Sequence, residues 1–206
     1  MQLRATASAV TEAEARALLA PLEREVLSRL GNVVYAVRDD DGGSLAEAAV
    51  TALKRVGWTV STCESLTGGL IAATMVQVPG ASAAVRGGLI TYQTDTKTIL
   101  ADVPAEVIEQ YDVVSEQVAA AMARGVRRKL GTDIAVSATG LAGPDGGTEE
   151  KPVGTVYVGI DTAEGTRVLP LRLTGDRERI RTLTVKHALN AIREEAEKEE
   201  QHVSHS

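Results

Sequence analysis

The stretch from Trp58 to Val76 constrains this chain more than any other. Trp58-Thr59-Val60-Ser61 reads as strand, and Leu70-Ile71-Ala72-Ala73-Thr74-Met75-Val76 reads as the first turns of a buried helix. Between them, Thr62-Cys63-Glu64-Ser65-Leu66-Thr67-Gly68-Gly69 has to turn the chain. A strand that runs into a helix through small residues points backbone amides at whatever sits above the turn, and the helix dipole adds positive potential there. Such a turn suits an anion or an oxyanion. Ser65 and Thr67 add hydroxyls, and Gly68 and Gly69 let a ligand come close to the backbone. The same residues also fit a plain helix cap, and the turn alone leaves both readings open.

Around this unit the chain divides in three. Residues 1–43 read as an extension: Thr11 and Glu14 form a capping box, Pro21 interrupts the helix they open, and a second helical piece ends at Gly31. Val33 to Val37 fits a short strand and Asp39 to Gly43 a linker. Residues 44–198 form the main domain, and 199–206 a disordered tail. Within the domain, Ser44 and Glu47 cap a helix stopped by Gly57. Gly87 to Tyr92 reads as strand, Asp95 to Leu100 as a short helix, and Pro104 as part of the next helix's first turn. Ser115 caps a helix that ends at Gly131. Asp133 to Thr139 has few charges and fits a central strand. Val153–Ile160 and Arg167–Leu173 pair as a hairpin, followed by a closing helix. Alternating strands and helices with a final hairpin predict a three-layer α/β/α sandwich around a mixed sheet, plus a helical N-terminal extension. Ligands in such sheets lie beyond the carboxyl ends of strands, so the loops after Thr62, Tyr92 and Thr139 are expected to share one site.

Composition narrows the chemistry. With 28 acidic against 22 basic residues the net charge is −6, which argues against nucleic acid held by a general electrostatic footprint. Phe is absent and aromatics are few, so stacking platforms for single strands are lacking. One cysteine, Cys63, excludes an internal disulfide and a cysteine-based metal cluster; on a strand it reads as a small buried residue rather than a nucleophile. No metal or other cofactor is expected. No apolar run spans a bilayer and Met1 opens no signal pattern, so a soluble cytoplasmic protein is expected.

A resemblance emerges from several blocks in series. Glu64-Ser65-Leu66-Thr67-Gly68-Gly69, Pro79-Gly80-Ala81-Ser82, Gly88-Leu89-Ile90-Thr91-Tyr92 with Lys97, and Ala138 through Gly147 followed by Lys151-Pro152-Val153-Gly154-Thr155-Val156-Tyr157 together resemble the CinA C-terminal domain family, which includes nicotinamide-nucleotide amidohydrolases of the PncC type. The likeness covers about residues 44 to 195. Residues 11–43 resemble the end of the segment that joins this domain to the amino-terminal domain of full-length CinA proteins. That nucleotide-processing domain has no counterpart here, so the chain reads as a stand-alone member or a cut piece.

The resemblance implies hydrolysis of the carboxamide of nicotinamide mononucleotide to nicotinic acid mononucleotide and ammonia. It implies Ser65 as nucleophile, Lys97 as base and Tyr92 close by, and a homodimer. The residues are consistent with this for their own reasons. A serine needs a base, and the histidines, His187, His202 and His205, lie in the closing helix and the tail. A lysine with a depressed pKa can replace histidine. Backbone amides at Thr67, Gly68 and Gly69 are the expected oxyanion donors. For the phosphate, candidates are Ser82, Thr139 and the loop with Gly140 and Gly143. Arg177, Arg179 and Arg181 are cationic candidates, with Arg179 preferred. Glu64 fits either substrate or Lys97 orientation, or a structural hydrogen-bonding role. The competing reading is a non-catalytic nucleotide- or partner-binding module tied to competence and DNA damage. Such a module needs the glycine loops but not the Ser65–Lys97 pair. A phosphoryl-transfer enzyme is disfavoured, because no run of glycines ends in Gly-Lys-Ser or Gly-Lys-Thr.

Overall fold

A computed structural model describes residues 3–31, 34, 35, 37 and 43–204. The chain divides into two compact units, Met1–Gly42 and Gly43–Ser206.

In the first unit, α1 (Glu12–Leu30) starts on the expected capping box: Glu14 N donates to Thr11 Oγ1, and Thr11 N to the Glu14 carboxylate. The expected break at Pro21 does not occur, and α1 runs through it. A proline withholds one amide, and the good helix formers around it, with Arg16–Glu12 and Arg29–Glu25 pairs four residues apart, carry the helix on. No residue of α1 is buried. The proposed strand at Val33–Val37 and the linker from Asp39 lie largely outside the described residues; Val34, Tyr35 and Val37 are described and are not strand.

The second unit is built on a five-stranded sheet of order β2-β1-β3-β4-β5, with β1 (Val60–Glu64), β2 (Val85–Ile90), β3 (Ile134–Gly140), β4 (Thr155–Thr162) and β5 (Gly165–Arg172). Strands β2, β1 and β3 are parallel, while β3–β4 and β4–β5 are antiparallel. The sheet is therefore mixed, and helices cover both faces. Helices α2 (Leu45–Val56), α3 (Leu70–Val76) and α7 (Arg177–Ser204) pack on one face, whose core takes Val60, Ile134, Val136 and Ala138 from the strands. Helices α4 (Thr94–Ala101), α5 (Ala105–Tyr111) and α6 (Glu116–Leu130) cover the other, where Cys63 and Ala135 pack. The alternation of Ile134, Val136 and Ala138 against Ala135 is the two-residue period of a strand buried on both sides. Pro170 is tolerated because β5 is an edge strand.

Several boundaries differ from expectation. Strand β1 begins at Val60 and continues through Thr62, Cys63 and Glu64, because it is paired on both sides up to Glu64, with Ile90 and Ala138 as partners. The turn is thus shortened to Ser65–Gly69. Tyr92 falls in the loop after β2 rather than on the strand. The segment expected as a tail is helical to Ser204; Lys198 pairs with Glu164 at 2.6 Å and Arg55 with Glu200 at 3.9 Å, tying that end to the β4–β5 turn and to α2. Among the described residues no helix is long and apolar enough to cross a membrane.

Candidate active site

The carboxyl ends of the three parallel strands bring together the turn after β1, the loop after β2 and the glycine loop after β3. Ser65 N donates to Ala138 O at 2.9 Å and Thr91 N to Glu64 O at 2.8 Å, so the first two loops leave the sheet in register with their neighbours. Gly68 and Gly69 have φ of 62° and 96°, a left-handed backbone that a side chain resists, and this lets the turn reverse before α3 begins.

Ser65 and Lys97 meet here. Lys97 is wholly buried, and its Nζ lies 3.2 Å from Ser65 Oγ while donating to Thr91 O at 2.7 Å. Lys97 and Ala101, one helical turn apart, form the buried face of α4, which is why a lysine sits inward. No carboxylate among the described residues pairs with it. Burial pushes its pKa below the usual lysine value, opposed by through-space interaction with the Cys63 sulfur, so a neutral amine is more accessible here than on an exposed lysine. Lysines are mostly exposed, and Lys97 departs from that rule. Cys63 is itself fully buried, and burial raises its thiol to about 11, which fits a core residue and not a nucleophile.

Of the roles the sequence left open for Glu64, the structure shows the hydrogen-bonding one and not the substrate-binding one. Its carboxylate is inaccessible and accepts four hydrogen bonds: from Gly69 N (2.9 Å), Ile71 N (3.0 Å), Ala72 N (2.9 Å) and Thr62 Oγ1 (3.1 Å). It caps α3 from within and does not face a substrate. As a result the amide of Gly69 is taken, and that of Gly68 closes a turn on Ser65 O at 3.0 Å. Neither is free for an oxyanion, contrary to the sequence reading. Thr67 stands apart: its Oγ1 is buried and is the one buried side-chain polar atom without a partner among the described residues.

Tyr92 lies at the rim, 54% exposed, and accepts from Arg177 Nη2 at 3.0 Å. No hydrogen bond among the described residues joins it to Ser65 or Lys97. Arg177 Nη1 also donates to Gly143 O at 3.0 Å, so one guanidinium bridges the loops after β2 and β3. Arg181, one turn further on, donates to Leu66 O (3.0 Å) and Thr67 O (2.9 Å). Arg179, the preferred arginine, lies two residues from Arg177 and so on another side of α7; its amide is capped by Asp176 at 2.8 Å. The one-turn spacing of Arg177 and Arg181 is the signal in the sequence that separates them from Arg179.

The remaining candidates divide. Gly140 ends β3, and Gly143 has φ of 73° with Val153 packed where a side chain would project. Both glycines are at the site. Thr139 Oγ1 donates to Val113 O at 2.9 Å, so its proton is already committed. Ser82 is not at the site: it belongs to the turn Ala81–Ala83 just before β2, and Val85 pairs with Val60, at the opposite end of the parallel strands from Ser65. A depression of about 370 Å³ borders the glycine loop, lined by Val113, Leu141, Gly146, Thr148 and the Lys151–Asp112 ion pair among others.

Comparison with known proteins agrees with this architecture. Residues 43–196 match the family described as CinA C-terminal domain. A CinA-like protein of Dictyoglomus thermophilum is 46% identical over 191 residues, 93% of this chain and 46% of its own length. A CinA-like protein of Parasynechococcus marenigrum is 42% identical over 195 residues, with 94% and 46% covered. The chain thus spans about half the length of these relatives. Among solved structures, competence/damage inducible protein CihA of Agrobacterium tumefaciens superposes with a TM-score of 0.70 at 38% identity, covering 72% of this chain and 91% of that one. A CinA superfamily protein of Klebsiella pneumoniae gives 0.70 at 30% identity, with 76% and 99% covered.

Proposed function

The chain belongs to the CinA C-terminal domain family, and from that premise we propose that it is an amidase that hydrolyses the carboxamide of nicotinamide mononucleotide. One observation carries this reading: a buried lysine without a carboxylate partner touches a serine hydroxyl at the edge of a loop cluster. An ammonium there would be uncompensated, whereas a neutral amine has a lone pair for the Ser65 proton.

In this reading Ser65 Oγ attacks the carboxamide carbon as its proton passes to Lys97 Nζ. The C–N bond then breaks, the same proton goes to the leaving nitrogen, and ammonia departs from an ester on Ser65. Water attacks that ester, one of its protons is taken by Nζ and returned to Ser65 Oγ, and nicotinic acid mononucleotide leaves, its carboxyl proton passing to solvent. Thr91 O holds Nζ in place throughout. Because Glu64 occupies the amides of α3, the substrate phosphate is assigned to the glycine loop and to Arg177, which no carboxylate among the described residues neutralises.

The test is ammonia release from nicotinamide mononucleotide by the native chain and by Ser65→Ala. Release by the native chain alone, with nicotinic acid mononucleotide as co-product, supports the reading. Binding of the nucleotide without release by either would favour a non-catalytic binding module.

A further inference from the structure

Glu64 and Lys97 are both buried, one an acid next to Ser65 in the chain and the other a base touching its hydroxyl, yet no ion pair joins them among the described residues. The alternation of β1 turns Cys63 towards α4 and α6, while the carboxylate of Glu64 lies against the first turn of α3. Its charge is held by three backbone amides and one hydroxyl, and no cation among the described residues reaches it. Charge-assisted bonds to amides at a helix start are the arrangement that makes such a buried charge tolerable.

These bonds also fix the segment that carries Ser65. At one end of the turn Ser65 N is tied to Ala138 O, and at the other Gly69 N is tied to Glu64. In between, Arg181 holds the carbonyls of Leu66 and Thr67. We propose that Glu64 is a positioning residue: an internal anion that locks the Ser65–Gly69 turn onto α3 so that the Ser65 hydroxyl meets Lys97. This rests on the reading of Ser65 as nucleophile.

The chemistry requires a carboxylate. Oε2 accepts from Gly69 N and Ile71 N, and Oε1 from Ala72 N and Thr62 Oγ1. A glutamine has one acceptor oxygen, so whichever way it turns, its NH₂ group faces two donors and two of the four bonds are lost. The turn must then shift, and a displacement of an ångström at a nucleophile costs about a hundredfold in rate.

The experiment measures how fast a small sulfonyl fluoride labels Ser65, located by mass spectrometry, in the native chain, Glu64→Gln and Glu64→Asp. Each is assayed well below its own melting temperature and across pH. Glu64→Gln is expected to label about a hundredfold more slowly, with the pH midpoint unchanged, since the carboxylate faces away from Lys97. Glu64→Asp keeps the charge one methylene short; it should also label slowly with a smaller loss of stability, and it serves if Glu64→Gln does not fold. Native-rate labelling in the folded variants overturns this inference alone, and so does a shifted midpoint, which would mean that Glu64 acts on Lys97 through charge. An inert Ser65 in the native chain overturns both the nucleophile reading and this inference.

Discussion

Lys97 Nζ stands 3.2 Å from Ser65 Oγ, with the lysine wholly buried and the serine 9% exposed. In the proposed reaction this encloses the base within the protein and leaves the nucleophile at the edge of the site, as acyl transfer to an outside substrate requires.

Replacing Lys97 by methionine keeps the apolar stem and removes the base. Amide hydrolysis is expected to fall about 100- to 10,000-fold, the range of general-base contributions. Burial lowers the folded pKa of Lys97 below 10.5, so between the folded value and 10.5 the unfolded chain binds more protons and stability rises with pH. Native activity should rise through the folded value and level off below pH 10.5. Melting temperature against pH, native beside Lys97→Met, checks this: the variant should lose that rise. An equal rise in both would show that Lys97 is not the group responsible.

Cys63 gives the opposite slope. Its thiol is raised from 9.0 to about 11, so in that window the folded chain holds the extra proton and stability falls as pH rises. Cys63→Ala should lack this fall and keep its amidase activity. Denaturant titrations at pH 8 and pH 10, about a unit either side of the unfolded value of 9.0, compare the two chains.

Arg177→Ala is expected to raise KM for nicotinamide mononucleotide about 10- to 100-fold with little change in kcat, since a charged hydrogen bond of about 1.5–3 kcal/mol is removed away from the reacting carbon. Steady-state kinetics separate the two constants. A loss confined to kcat would instead give Arg177 or its partner Tyr92 a role at the reacting centre.

Gly125→Ala sets two effects against each other. In the interior of α6, alanine gains about 1 kcal/mol of helix propensity over glycine. A Cβ at Gly125, however, would overlap the carbonyl of Ala101, at the end of α4, and a backbone carbonyl cannot rotate away. Overpacking of this kind costs about 1–3 kcal/mol or more. The variant should be net destabilised, and because α4 carries Lys97, its activity should fall as well; chemical denaturation and amidase assays measure both.

Local chemistry was legible in advance. Capping boxes at Thr11 and Ser44, the caps at Ser115, Gly57 and Gly131, and the hairpin of β4 and β5 all follow from short-range preferences that hold in the folded chain. The pairing of Ser65 with Lys97 came from a family likeness, since nothing in the residues around Lys97 distinguishes it from a surface lysine.

By itself, then, the sequence determined the order of elements in the second unit, the mixed α/β class and the loop that carries Ser65, because periodicity, caps and glycines act over a few residues. Tertiary structure alone decided which polar groups are already spent. Glu64 takes the α3 amides, Thr139 gives its proton to Val113, and Arg181 is spent on the carbonyls of Leu66 and Thr67. Ser82 was left at the far end of the sheet by the parallel register of β1 and β2. Each of these depends on partners distant along the chain, and on which side of a strand or helix a residue falls once the layers have packed.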